Sequence, residues 1–279
     1  MLRTEGCFHG YDGKDLYYQT WQHKEAKLNI MLTHGLAEHS GAYDRFASAL
    51  LDIVPVNVFA YDLRGHGKSF GKRGVVNSFN EYIDDFFCFY HFLKNELSDE
   101  LICLGHSMGG LIATHAVQTF QEQLKVKALV LSSPLMGIEM PVSPFKDYAA
   151  KVMADFAPSL TLSNEIDFKS LSHDLDIVKE YEKDPLRHTR ISAKLYLGFI
   201  ETFPKVMAAA KNMQLPVFMQ YAGDDHLVSV KESEKFFDLV GSEQKEKIKY
   251  TNMYHEIYNE VDRQKVYTDL AIFLEKYIV

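Results

Sequence analysis

The segment Leu101-Ile-Cys-Leu-Gly105-His106-Ser107-Met108-Gly109-Gly110 sets a serine between two glycines in the pattern G-x-S-x-G. An apolar run leads in and a small-residue helical pattern leads out. On a strand-to-helix turn of this kind the serine backbone is strained and its Oγ stands above the sheet. Gly105 and Gly109 let such a turn close without Cβ clashes. A serine hydroxyl is a weak nucleophile at neutral pH. It needs a histidine as base and a carboxylate to orient that base. In this setting the chain order is Ser, then Asp or Glu, then His.

Order and context select among the twelve histidines. His115, His173 and His188 follow Ser107 but fall in helical patterns or in a proline-punctuated stretch. His255 follows the last predicted strand, and loops at the C-terminal ends of parallel strands collect site residues. His255-Glu256 begins the zinc pattern HExxH, but Asn259 stands where the second ligand belongs, so a metal site is not predicted. The carboxylate is expected at the end of the preceding strand. Gly223-Asp224-Asp225-His226-Leu227-Val228 supplies two candidates there, and spacing does not choose between them. An oxyanion needs two N–H donors. One is predicted at Met108, the other at Leu36 in His34-Gly35-Leu36-Ala37-Glu38-His39-Ser40-Gly41. The glycines of Asp62-Leu-Arg64-Gly65-His66-Gly67-Lys-Ser69 lack both phosphate-binding patterns. A turn fixed by hydrogen bonds of Asp62 and Arg64 is expected there.

These residues need elements to hold them. Leu28–Thr33, Pro55–Tyr61, Leu101–Leu104, Ala128–Leu131, Pro216–Tyr221 and Lys247–Thr251 read as strands, near-continuous in apolar residues as buried parallel strands are. Helical periodicities run over Tyr43–Leu51, Phe79–Leu97, Leu111–Leu124, Val230–Val240 and Asp262–Tyr277. The alternation predicts an α/β fold with a mostly parallel sheet and helices on both faces. It breaks between Pro134 and Pro216, where only helical pieces and prolines read. A helical cap over residues 136–204 is expected, inserted into a core of 1–135 and 205–279. Within it Phe145, Tyr148, Ala149, Val152, Met153 and Phe156 recur at helical spacing, bounded by Pro144 and Pro158. Phe145, Tyr148, Val152 and Phe156 are expected either to line an acyl tunnel whose rim dips into a membrane surface or to pack on the body.

The chain has 279 residues, enough for one large domain with a sizeable core. Its net charge of -8 argues against nucleic acid as a partner. Cys7, Cys88 and Cys103 form neither a disulfide framework nor a metal pair, which suits a reducing cytosol. The first residues lack the apolar stretch of a secretory signal, and no apolar run is long enough to span a membrane. Peripheral membrane contact stays open, and the oligomeric state is not legible.

Taken together the motifs resemble the α/β-hydrolase superfamily, within it the monoacylglycerol lipase and lysophospholipase group of serine aminopeptidase-type hydrolases. The marks run nearly end to end: His34–Tyr43, Asp62–Ser69, Gly105–Gly109, Ser132-Ser-Pro134, Asp184-Pro185, Gly223–Val228 and Tyr254-His-Glu256. The resemblance implies the α/β-hydrolase fold and selects Asp225 over Asp224, since the group's Asp precedes a basic residue and a Leu-Val type pair. It places Tyr181, three residues before Asp184-Pro185, beside the glycerol end of a substrate, with Glu38 supporting the same region. Leu36 departs from the group, which carries a small residue at that position. The implied activity is hydrolysis of single-acyl lipid esters, with monoacylglycerol first and no metal or organic cofactor. Lysophospholipase, short-chain carboxylesterase and peptidase chemistry share the motifs. A non-catalytic ligand-binding relative is the reading from another class, and it usually lacks a triad member.

Overall fold

A computed structural model describes residues 1–97, 100–139 and 144–278; of residues 96 and 144–149 it describes the backbone alone. The chain opens with a hairpin, β1 (Leu2–His9) against β2 (Asp15–Gln22), then β3 (Leu28–Thr33), α1 (Asp44–Ile53) and β4 (Val56–Tyr61). Next come α2 (Asn80–Glu96), β5 (Glu100–His106), α3 (Met108–Thr119) and β6 (Leu129–Ser132). The inserted segment holds α4 (Pro144–Phe156), β7 (Thr161–Ser163), α5 (Leu175–Lys183), β8 (Arg190–Ser192) and α6 (Ala193–Ala209). The chain closes with β9 (Val217–Ala222), α7 (Val230–Leu239), β10 (Lys245–Tyr250) and α8 (Arg263–Glu275).

The eight-stranded sheet has the order β1-β2-β4-β3-β5-β6-β9-β10. From β4 to β10 neighbours pair in parallel; β1–β2 and β2–β4 pair antiparallel. Alternation along the central strands fills two cores. Met31 and Cys103 face one, with Phe86, Leu111 and Phe236; Ile30, Leu32 and Ile102 face the other, with Phe46, Leu50 and Leu270. Each strand is therefore apolar on both sides, which is why it reads as a continuous run. Among the described residues no helix is long and apolar enough to cross a membrane.

Three expectations need correction. The N-terminal hairpin was not predicted, because Leu2–His9 and Asp15–Gln22 are rich in polar residues and one strand lies at the sheet edge. The stretch from Pro134 to Pro216 is not free of strands: β7 and β8 pair antiparallel over three residues each. Pro204 does not break the chain there but sits inside α6, so the expected boundary at residue 204 falls within a continuous helix. The Asp62 turn is as predicted. Its two carboxylate oxygens accept from the N–H groups of Ser40 and Lys68, both at 2.7 Å, while Arg64 forks onto Asp85 at 2.6 and 2.8 Å.

Candidate active site

The turn between β5 and α3 holds Ser107 at φ 53° and ψ -121°, a left-handed conformation that a residue with a Cβ adopts only under constraint. Its neighbours supply the constraint. The Ser107 N–H donates to the Ser132 carbonyl at 3.0 Å, and the Ser107 carbonyl accepts from Gly110 and Leu135 at 2.9 Å each. A Cβ on Gly105 would lie 2.4 Å from the Gly109 oxygen, and one on Gly109 would lie 2.1 Å from the Thr33 oxygen. Both glycines are required by close approach of backbone, and Ser107 is left on the rim of a cavity.

His255 lines the same cavity, on the loop after β10. Its Nδ1–H donates to Asp225 Oδ2 at 2.7 Å, so Nε2 is bare and can take a proton. Asp225 is itself held: its Oδ1 accepts from the N–H groups of Leu227 and Val228, both at 2.9 Å. Asp224 instead faces water beside His226, 3.5 Å away. Geometry thus resolves the pair that spacing leaves open. Burial works to lower the pKa of His255, but the Asp225 carboxylate, with Glu256 and Glu38 beyond it, outweighs burial and raises it. Burial pushes Asp225 up, and its bonds to His255 and the two N–H groups bring it below its ordinary value. The His106 ring lies 4.9 Å from that of His255 and is held neutral by burial.

The loop after β3 closes the site from the other side. A Cβ on Gly35 would stand 3.1 Å from Ser107 Cβ, which places Leu36 next to the nucleophile. His34 fixes this loop through both ring nitrogens, donating from Nδ1 to the Gly35 carbonyl at 2.7 Å and accepting from the Leu63 N–H at 3.0 Å. Both bonds need the neutral ring, and burial lowers its pKa to about 4. The Met108 N–H opens α3 and has no acceptor within its own helix. The cavity measures about 560 Å³, and its walls are largely apolar, with Leu135, Met153, Phe168 and Phe199 among them.

The family described as "Serine aminopeptidase, S33" matches residues 24–262. The monoacylglycerol lipase of Mycolicibacterium smegmatis is 30% identical, over 99% of this chain and 98% of that protein. Phospholipase YtpA of Bacillus subtilis is 30% identical, over 93% and 99%. The crystal structure of a Paleococcus ferrophilus monoacylglycerol lipase superposes with a TM-score of 0.84 at 30% identity, covering 94% of this chain and 99% of that one.

The chain belongs to that serine aminopeptidase family. It has the α/β-hydrolase fold and is a carboxylic ester hydrolase similar to the monoacylglycerol lipases. Within this hydrolase the predicted substrate residues divide. Glu38 lines the cavity, its Oε1 accepting from the Gly35 N–H at 2.5 Å and the Tyr43 hydroxyl at 2.8 Å. Tyr181 does not line it: the side chain is buried behind the wall, and its hydroxyl donates to Glu256. Val152 and Phe156 are 40% and 85% exposed and lie off the cavity. The face of α4 that turns inward carries Ala150 and Met153, with Ala154 buried. The side chains of Phe145 and Tyr148 lie outside the described residues.

Sequence reading missed Arg187 in this hydrolase. It lines the cavity between Glu38 and Glu256, from a position 149 residues beyond the first and 69 before the second. A single arginine after Asp184-Pro185-Leu186 carries no periodic or motif signal. Only the fold brings its partners to it.

Proposed function

We propose that this enzyme hydrolyses single-acyl lipid esters, monoacylglycerol first, through an acyl-enzyme formed on Ser107. What carries the reading is one cavity that combines Ser107 on its strained turn, His255 backed by Asp225, and long apolar walls. Ser107 Oγ adds to the ester carbonyl as its proton passes to His255 Nε2. The N–H groups of Leu36 and Met108 stabilise the oxyanion. The carbon–oxygen bond to the alcohol breaks, and His255 returns the proton to the leaving glycerol. Water, deprotonated by the same nitrogen, then releases the fatty acid. Asp225 keeps His255 in the right tautomer and stabilises its charged form. Glu38 faces the hydroxyls of the alcohol, and Met153, Leu162 and Phe168 face the acyl chain. The segment between β6 and β9 acts as the cap that selects substrate.

The names of the relatives above support lipid esters, and the one named as a phospholipase supports a second reading, cleavage of lysophospholipids. A kinetic panel separates the two. The expected result is a kcat/KM for monoacylglycerol at least about tenfold above that for lysophosphatidylcholine, a difference of about 1.4 kcal/mol in transition-state binding. The reverse order moves the assignment to lysophospholipase.

We also place the cap at a lipid surface. Phe156, Leu160 and Leu162 are 85%, 51% and 57% exposed, and Leu162 lines the cavity as well. An apolar rim beside an apolar cavity gives a lipid ester a path that avoids water.

A further inference from the structure

We propose that Arg187 is a positioning residue for ester hydrolysis: its guanidinium, brought in by the inserted segment, clamps the oxyanion loop to the loop that carries the catalytic base. The proposal rests on the reading of Ser107, Asp225 and His255 as a hydrolytic triad. Arg187 lies between α5 and β8, and its side chain is 4% exposed. Nη2 reaches Glu38 Oε2 at 3.4 Å, and Nη1 reaches Glu256 Oε1 at 3.2 Å. The guanidinium carbon lies over the Tyr181 ring, 3.7 Å from its centroid. Its Nε has no acceptor among the described residues, so the two carboxylates and the ring hold the group.

The two carboxylates are attached to the two halves of the machinery. Glu38 grips the Gly35 N–H, one residue before the proposed oxyanion donor Leu36. Glu256 follows His255 directly, and its backbone N–H donates to the Leu171 carbonyl at 2.9 Å. Glu256 also accepts from the Tyr181 hydroxyl and from Asn259 at 2.8 Å. One guanidinium against two buried carboxylates leaves the cluster short of positive charge. The deficit falls on Glu38, whose pKa is raised by burial and by the charge of Glu256, while Glu256 keeps the better share of Arg187 and is lowered against its own burial.

The charged and titratable groups around the clamp are Glu38, Glu256, Tyr181, Tyr43 and His106; those facing His255 are Asp225, Glu256, Glu38 and His106. Without Arg187 the carboxylates hold together only while Glu38 carries a proton and shares it. Raising the pH removes that proton and drives the loops apart.

The test is kcat against pH for Arg187→Met, Arg187→Lys and Arg187→Met/Glu38→Gln, on a short soluble ester. In Arg187→Met the ratio of wild-type to variant kcat is expected to widen by about tenfold from about pH 6.5 to about pH 9, with KM changing far less. Adding Glu38→Gln removes the titrating group and flattens the ratio. Arg187→Lys keeps the charge but not the fork, so its ratio is flat with pH while kcat is lower. A flat ratio in Arg187→Met, or a rise that survives Glu38→Gln, overturns the clamp. If Arg187→Met does not fold, Arg187→Lys decides: an alkaline loss in that variant overturns it as well. Hydrolysis by the wild type, and its loss in Ser107→Ala, test the triad separately.

Discussion

The turn at Ser107 and the helix α4 line the same cavity, yet they are built on different terms. At the turn, the backbone itself carries the function. A left-handed serine, two glycines pressed against carbonyl oxygens, and hydrogen bonds to β6 fix the backbone from which Ser107 meets the cavity. At α4, function depends on which face of a helix turns inward, and that is decided by what it packs against. The helix puts small and flexible side chains, Ala150 and Met153, toward the cavity and leaves Val152 and Phe156 in solvent. The difference separates reaction from specificity. Changes at the turn are expected to abolish the chemistry, and changes at the helix to alter which ester reaches it.

The largest effects are therefore expected at the triad. Ser107→Ala should lower kcat by roughly a thousandfold or more with the fold intact. Asp225→Asn should cost on the order of 10⁴ in kcat, because the amide favours the wrong tautomer of His255. Asp224→Asn should stay near wild type, since that carboxylate is solvent-exposed. Steady-state kinetics with circular dichroism as the fold control decide the matter. Comparable losses at Asp224 and Asp225 would reject the assignment that the hydrogen bonds make.

This contrast also accounts for what the sequence made legible. β3, β4, β5, β6 and β9 were readable because each is buried on both faces, whereas β10, with its lysines and glutamate at the sheet edge, carries a weaker apolar signal. Ser107 and His255 were readable from motif and chain order, since backbone constraint leaves its mark in glycines. Spacing alone left Asp225 half readable, since a second aspartate stands beside it; the family resemblance selected Asp225, and three hydrogen bonds hold it against His255 and its own turn. On α4, Met153 was read onto the right face, whereas Val152 and Phe156 were misread because an exposed apolar side chain looks like a core residue in a periodicity. Arg187 left no trace, because a buried cation is defined by partners far away in the chain.

A smaller effect follows from the charge around His255. Its pKa lies above the ordinary histidine value, the carboxylate of Asp225 outweighing burial. In the proposed mechanism the ring must be neutral to accept the proton of Ser107. As pH falls through the raised pKa the base is lost, so the acid limb of kcat/KM should lie above ~6.5 and fall by about tenfold per unit below it. A pH-rate profile on a soluble ester reads this directly. A limb at or below the ordinary value would mean that Asp225 does not govern the base.

The smallest effects are expected at the inserted segment, and two positions three residues apart divide them. Met153 lines the cavity, whereas Phe156 is 85% exposed on the same helix. Each acyl CH₂ buried against the walls contributes about 0.8 kcal/mol, so kcat/KM should rise with chain length until the cavity is filled. Met153→Asp should flatten that rise for long-chain monoacylglycerols in detergent and leave p-nitrophenyl acetate nearly unchanged. Phe156→Asp should do neither, because no substrate atom reaches it inside the cavity. Its side chain is placed to enter a lipid surface, where burying a phenylalanine contributes about 1.5–3 kcal/mol. Sedimentation with phosphatidylcholine vesicles should therefore show binding reduced about tenfold, with a matching loss on monoacylglycerol presented in those vesicles. Unchanged sedimentation would remove the lipid surface from the proposal. Equal loss on p-nitrophenyl acetate would make Phe156 a packing residue, and a Phe156→Asp loss in detergent equal to that of Met153→Asp would return it to the tunnel wall.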